Sequence, residues 1–214
     1  LYVEKGDNKN IIFIELLIDS WIDRNKMGKG DGWHSYTISL RLRNIIWCFN
    51  LLPEMISKKR LDSLWEQFCW LNMHLEIHHG GNHLLENLIS LSFSSLFFEG
   101  EKAKAIFLNS QYKLKKELDL QILEDGGHEE RTATYHLLLL EHLVELGIMI
   151  QMKLRDRPYW LVSKIHQMTE WVTKIRLIGG NYPNFNDSTL SSCSKLDDVL
   201  RLSYSYLNQK EYEL

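Results

Sequence analysis

Proline is scarce. Pro53, Pro158 and Pro183 are the only three in 214 residues, and with so few interior breakers long helices are favoured. Cysteine is scarce as well. Cys48, Cys69 and Cys193 are odd in number and widely spaced, which gives neither a disulfide framework nor a thiolate metal pattern. Cys48 and Cys69 lie in apolar runs, where a buried free thiol is the ordinary outcome. An excess of one charge is missing too. A formal net charge of -3 excludes a bulk nucleic-acid-binding surface, and the short clusters Lys58-Lys59-Arg60 and Lys113 to Lys116 read as solvated helix faces. The longest apolar runs are too short or too interrupted to span a membrane, so no membrane insertion is expected. No signal peptide is visible, and the chain opens on Leu1-Tyr2-Val3 without an initiator Met, as a processed protein or a piece of a longer one would. Strand-like alternation flanked by hairpin turns is absent.

Helical periodicity fills the space these absences leave. Hydrophobic residues make up 44% and charged residues 25%, ordinary for a globular protein with a core of useful size. Apolar stripes at helical spacing run through Ile11, Ile14, Ile18 and Trp21, then Ile38, Leu42, Ile45 and Phe49, then Leu61, Leu64, Phe68, Leu71 and Leu75. Further helices are predicted over Asn82 to Phe98, over Lys102 to Leu123 with Leu108, Leu114, Leu118 and Ile122 buried, and over Thr132 to Met152. Two more hold Leu161 to Ile175 and Leu196 to Leu207. Glycine turns at Gly28 to Gly32, Gly80-Gly81, Gly100 and Gly126-Gly127 separate them. Some eight helices with short loops predict an all-α fold of packed hairpins, either a compact bundle or an arc. Residues 1–214 read as one helical domain, the loop from Gly179 to Ser194 being the best candidate for a boundary.

Four polar blocks interrupt the helical pattern. In Gly80 to Asn87 (GGNHLLEN), helical spacing puts Asn82 beside Glu86, and His83 beside Glu86 and Asn87. Capping by Asn82 explains part of this block, but not His83 with Asn87. In Asp125 to His136 (DGGHEERTATYH), Arg131 stands four before Tyr135 and Thr132 four before His136. A guanidinium there would favour the phenolate of Tyr135, whose free pKa is about 10. The alternative is a partly buried tyrosine beside a surface ion pair. In Gly32 to Asn44 (GWHSYTISLRLRN), Trp33 and Tyr36 could stack on a sugar ring and Arg41 could meet an acidic group, or the block is an aromatic helix entry with a solvated arginine. In Pro183 to Ser188 (PNFNDS), Asp187 is expected to cap the following turn.

The four blocks, in this order over Gly32 to Ser188, resemble the heparinase II/III-like polysaccharide lyases, and parts are similar to alginate and oligoalginate lyases. The resemblance implies an incomplete (α/α) toroid of antiparallel helical hairpins, followed in the parent protein by a C-terminal β-sandwich that supplies a further catalytic residue. It implies β-elimination at a uronic acid of an acidic polysaccharide such as a glycosaminoglycan, in a periplasmic or secreted setting, with no cofactor or metal needed in this portion. Asn82 and His83 match the residues that neutralise the uronate carboxylate, and Tyr135 matches the catalytic tyrosine, as acid and for some substrates as both acid and base. Glu86, Arg131, His136, Trp33, Tyr36 and Arg41 fall into supporting or substrate-binding places, Glu86 as a residue that orients His83. Two other readings stand beside this one. The first is a non-catalytic carbohydrate-binding or structural helical domain. The second is a helical glycoside hydrolase using Glu86 and Asp187 as its paired carboxylates, which leaves the Asn-His and Tyr-His pairs unexplained.

Overall fold

The computed structural model describes residues 8–178, 181–189 and 196–208. Among them the chain forms eight α-helices and no strand, so the all-α expectation holds. No helix among the described residues is long and apolar enough to cross a membrane. Two compact units divide the chain, Leu1–Glu76 and Ile77–Leu214.

The first unit contains α1 (Asn8–Arg24), α2 (Ser35–Leu51) and α3 (Lys58–Met73), and α3 packs against both others. Its core is the predicted stripe: Ile18, Ile38, Leu42, Phe49, Leu64, Phe68 and Leu71 are buried. Pro53 opens a single 3-10 turn, Pro53–Met55, after α2. Ser57 then caps α3, its side chain accepting from the Arg60 N–H at 3.4 Å. Arg60 itself departs from the expected solvated face. It is 8% exposed, and its guanidinium takes both Asp19 oxygens at 2.9 and 2.7 Å, Glu15 at 2.6 Å and the Met55 carbonyl at 2.6 Å. Glu15 and Asp19 are one turn apart on α1, so a single planar donor fork satisfies both and ties α3 to α1. The Arg60 hydrogen bond holds the Asp19 carboxyl below its usual range. Lys58 and Lys59 stay outside, paired with Asp62 and Asp23.

The second unit contains α4 (Gly81–Ser95), α5 (Glu101–Gln121), α6 (Ala133–Leu154), α7 (Tyr159–Ile175) and α8 (Leu196–Leu207). Helix α6 is its axis, packing against α4, α7 and α8. A helix buried all round needs apolar or self-satisfied residues on every face, and α4 has them: thirteen of its fifteen residues are buried. Among its serines, Ser92 bonds Ser110 of α5 at 2.9 Å and Ser95 returns its hydroxyl to the Leu91 carbonyl. On α5 the buried face is Ala103, Ile106, Ser110, Leu114 and Leu118. Leu108 was expected on that face but is 61% exposed, because two residues beyond Ile106 is most of half a turn away.

Cys48 and Cys69 are half-buried thiols, and burial raises the Cys48 thiol; Cys193 lies outside the described residues. The described stretch 181–189 of the long loop is pinned to the start of α6 within the second unit. The Tyr182 hydroxyl donates to the Thr189 carbonyl at 2.9 Å, and the Thr189 N–H donates to Thr134 Oγ1 at 2.8 Å.

Gly147 marks a close crossing of α6 and α8. A Cβ there would lie 2.6 Å from the ring of Tyr206 on α8, which is itself 1% exposed and has nowhere to move. Alanine would gain about 1 kcal/mol of helix propensity, yet Gly147→Ala is expected to destabilise by about 1–3 kcal/mol through overpacking. Urea unfolding measures it, and a net gain in stability would contradict the crossing as described.

Candidate active site

The site begins where α4 begins. Gly80 (φ 63, ψ -146) occupies the cap position without a side chain to cap, and Gly81 has φ 52. Asn82 is therefore inside the first turn and does not cap it. The donor at this helix start is satisfied from elsewhere in the chain: the Asn82 N–H donates to Glu130 Oε1 at 2.7 Å. A carboxylate is favoured there by the unpaired N–H groups and the helix dipole. A Cβ on Gly81 would stand 2.5 Å from the same oxygen, so the close approach requires glycine. Asn82 is 8% exposed. His83 is half-exposed, its ring 6.1 Å from that of His79. Glu86 and Asn87 are fully buried. Glu86 Oε1 meets Nδ1 of His142, on α6, at 2.6 Å.

Glu130 arrives on a compact loop between α5 and α6. The Glu129 N–H donates to the Gln121 carbonyl at 2.8 Å, and the Leu123 N–H to the Gly127 carbonyl at 2.9 Å. His128, 1% exposed, is the loop's anchor. Its Nδ1 accepts the Glu130 N–H at 3.3 Å, which leaves the proton on Nε2 to donate to Gln121 Oε1 at 3.1 Å. Burial lowers its pKa, in keeping with this neutral form.

Arg131 follows with φ 51, a left-handed residue outside the helix. The four-residue relation to Tyr135 inferred from helical spacing therefore does not hold, since α6 starts only at Ala133. Arg131 is exposed, its carbonyl accepting from Asn186 Nδ2 at 2.9 Å. Ser188 Oγ accepts the Ala133 N–H at 3.0 Å. The residue of this loop that caps a helix is thus Ser188, acting on α6, whereas Asp187 was expected to cap the turn after itself.

Tyr135 is half-exposed. Burial raises its pKa above the ordinary tyrosine value, and the charges of Asp187 and Glu130 raise it further. The field at the phenol is negative, the reverse of the Arg131 effect read from spacing, and it keeps Tyr135 protonated. His136, one residue on, is rotated by about 100° into the interface with α7. It is 0% exposed, lies 4.4 Å from the Trp171 ring, and its Nε2 meets the Met168 carbonyl at 3.1 Å. No hydrogen-bond partner reaches its Nδ1 among the described residues. Burial brings its pKa down to about 3. Substrate has no access to this ring, so its support is that of a packing residue.

In the first unit, Trp33 is 6% exposed. It packs against Trp21 and Trp70 at 6.0 and 5.5 Å between ring centroids, which accounts for it as core and not as a sugar platform. Arg41 lies 3.7 Å over the Trp21 ring and donates to Gln67 Oε1 at 2.6 Å and the Gly32 carbonyl at 2.7 Å. Burial lowers its pKa to about 10. These bonds hold the guanidinium in the protein and not toward an acidic ligand. Tyr36 is half-exposed.

The second unit thus sets Asn82 and His83 in the first turn of α4 and Arg131 and Tyr135 around the start of α6, with Glu130 bonded to the Asn82 N–H and its charge reaching Tyr135. Glu130 and His142 are the members that sequence reasoning missed, and Asp187, read there as a cap or a hydrolase carboxylate, acts as a charge on Tyr135. Glu130 lay inside a block already singled out, but its bond to Asn82 spans 48 positions and has no local signature. A lone histidine in the leucine-rich run of α6 was the available signal for His142. Among the described residues no group of three or more His, Cys, Asp or Glu is placed to hold a metal ion. The arrangement offers a side-chain amide and an imidazole beside a helix N-terminus whose Asn82 N–H is already taken by Glu130, and a phenol suited to giving a proton.

His136 makes the fold acid-sensitive. Its folded pKa lies below the unfolded value of 6.5, so its contribution is complete above about pH 6.5. The contribution is lost as pH falls toward 3, at up to about 1.4 kcal/mol per pH unit. His128 acts in the same direction. Stability measured by urea unfolding is expected to fall from pH 6.5 to 4, less steeply in His136→Phe. Equal slopes would contradict the buried neutral imidazole.

No curated protein matches the chain. Its fold is similar to that of heparinase III, with a TM-score of 0.74 at 20% sequence identity, over 94% of this chain and 33% of that one. The chain thus spans about a third of heparinase III. The family described as Heparinase II/III N-terminus matches residues 2–212, nearly the whole sequence, and the chain belongs to that family of polysaccharide lyase N-terminal domains.

Proposed function

We propose that the chain is the helical portion of a polysaccharide lyase that cleaves a uronic-acid-containing polysaccharide by β-elimination. The observation that carries this reading is Tyr135 at the start of α6, in one unit with the Asn82–His83 turn of α4 and linked to it through Glu130. Family membership supports the reaction class.

The proton on the carbon beside a uronate carboxylate is weakly acidic, and negative charge builds on the carboxylate oxygens as it leaves. Asn82 and His83 donate hydrogen bonds to that carboxylate and stabilise the enolate-like charge, as an oxyanion site does. The electron pair left on carbon forms the double bond as the glycosidic carbon–oxygen bond breaks. The leaving oxygen takes a proton from Tyr135. A phenol whose pKa is raised suits that donor role better than the role of base, so removal of the first proton falls to a second group. The family resemblance assigns such a group to a C-terminal β-sandwich. Arg131, exposed at the same end of the unit, attracts the polyanion.

Incubation of the whole lyase, helical portion together with the domain that carries the second group, with heparan sulfate, hyaluronan, chondroitin or alginate is expected to release an unsaturated product absorbing in the ultraviolet. Tyr135→Phe is expected to lower the rate by about 100-fold or more; an unchanged rate would remove Tyr135 from the mechanism. Binding of these polymers without any product would favour a non-catalytic carbohydrate-binding domain. Asp187→Asn removes one of the charges that raise the Tyr135 pKa. The alkaline limb of the pH–rate profile should therefore move to lower pH, and an unmoved limb would contradict the donor assignment.

A further inference from the structure

The proposed reaction needs the carboxylate-binding turn on α4 and the phenol on α6 in fixed register, since small misplacements of reacting groups are costly. Glu130 is joined to both. It lies just ahead of Tyr135 in the chain, and its Oε1 takes the Asn82 N–H at 2.7 Å, in space that exists because residue 81 has no side chain. Its own backbone is held at both ends. The N–H donates to His128 Nδ1 at 3.3 Å. The carbonyl accepts from Thr132 Oγ1 at 3.2 Å and from Asn186 Nδ2 at 3.4 Å. A carboxylate so constrained is a strut between two helix ends.

We propose that Glu130 is a positioning residue, whose carboxylate seated on the Asn82 N–H beside Gly81 sets the register between the Asn82–His83 pair and Tyr135. The inference rests on the lyase reading and adds a residue to which that reading gives no part. Its charge also reaches Tyr135, so position and charge must be separated.

Two variants of the full chain do this. Glu130→Gln keeps the reach and an acceptor oxygen but removes the charge. Glu130→Asp keeps the charge but withdraws the oxygens by one methylene. If Glu130 acts by position, Glu130→Gln retains kcat within about tenfold, while Glu130→Asp loses about 100-fold in kcat with little change in KM. In 1H–15N spectra the Asn82 amide proton stays downfield in Glu130→Gln and moves upfield in Glu130→Asp. If the chain binds a uronate oligosaccharide without turnover, the readout is the ligand-induced shift of the Tyr135 ring, kept in Glu130→Gln and lost in Glu130→Asp. The reverse ranking, or equal behaviour of both variants and the parent, overturns the positioning role while leaving the lyase reading intact. A parent chain that neither cleaves nor binds any uronate overturns both.

Discussion

The Glu86 carboxyl group is fully buried, and a buried polar group is tolerated only where a partner replaces water. His142 of α6 is such a partner, at 2.6 Å. Removing one member of a buried hydrogen-bonded pair costs about 1–3 kcal/mol, so the pair helps to specify the rotation of α4 against α6. The rest of the site depends on that rotation. Asn82 lies one turn earlier on the Glu86 face and is carried to the side where Glu130 accepts its N–H. His83, about 100° further round, is left half-exposed. Each residue of the Asn-His pair thereby receives a different environment from one packing contact.

The same rotation logic separates Tyr135 from His136. Adjacent on α6, they face different surroundings: the phenol opens toward Asp187 and Glu130, and the imidazole packs under Trp171. Both pKa values move in the direction that keeps the group neutral, but with different consequences. A neutral phenol near the surface retains a proton it can give. A neutral imidazole at 0% exposure serves the α6–α7 contact. The loop that carries Asp187 is fastened to the first turn of α6 through Ser188 and Thr189, so the field at Tyr135 is part of the fold.

Helix content and order were readable because period, turn glycines and scarce proline all point the same way, and α4 to α8 lie close to their predicted spans. The four polar blocks were readable as blocks. What each member does was not, because that depends on contacts distant in sequence. Trp33 next to glycine suits a sugar platform or a core equally well, and only the meeting of Trp21, Trp33 and Trp70 decides for the core. Arg60 in a basic run looks solvated until Glu15 and Asp19 of α1 come to face it. Arg131 has helical spacing to Tyr135 but a left-handed backbone, which no count of positions reveals.

The central claim is that the start of α4 and the start of α6 together receive one uronate. The most direct measurement is an NMR titration of the full chain with a defined uronate oligosaccharide, following the side-chain resonances of His83 and Tyr135. The account predicts that both shift together along one saturation curve, with the Asn82 side-chain amide. Shifts confined to the Trp33, Tyr36 and Arg41 region, or His83 and Tyr135 responding with different affinities, would contradict it.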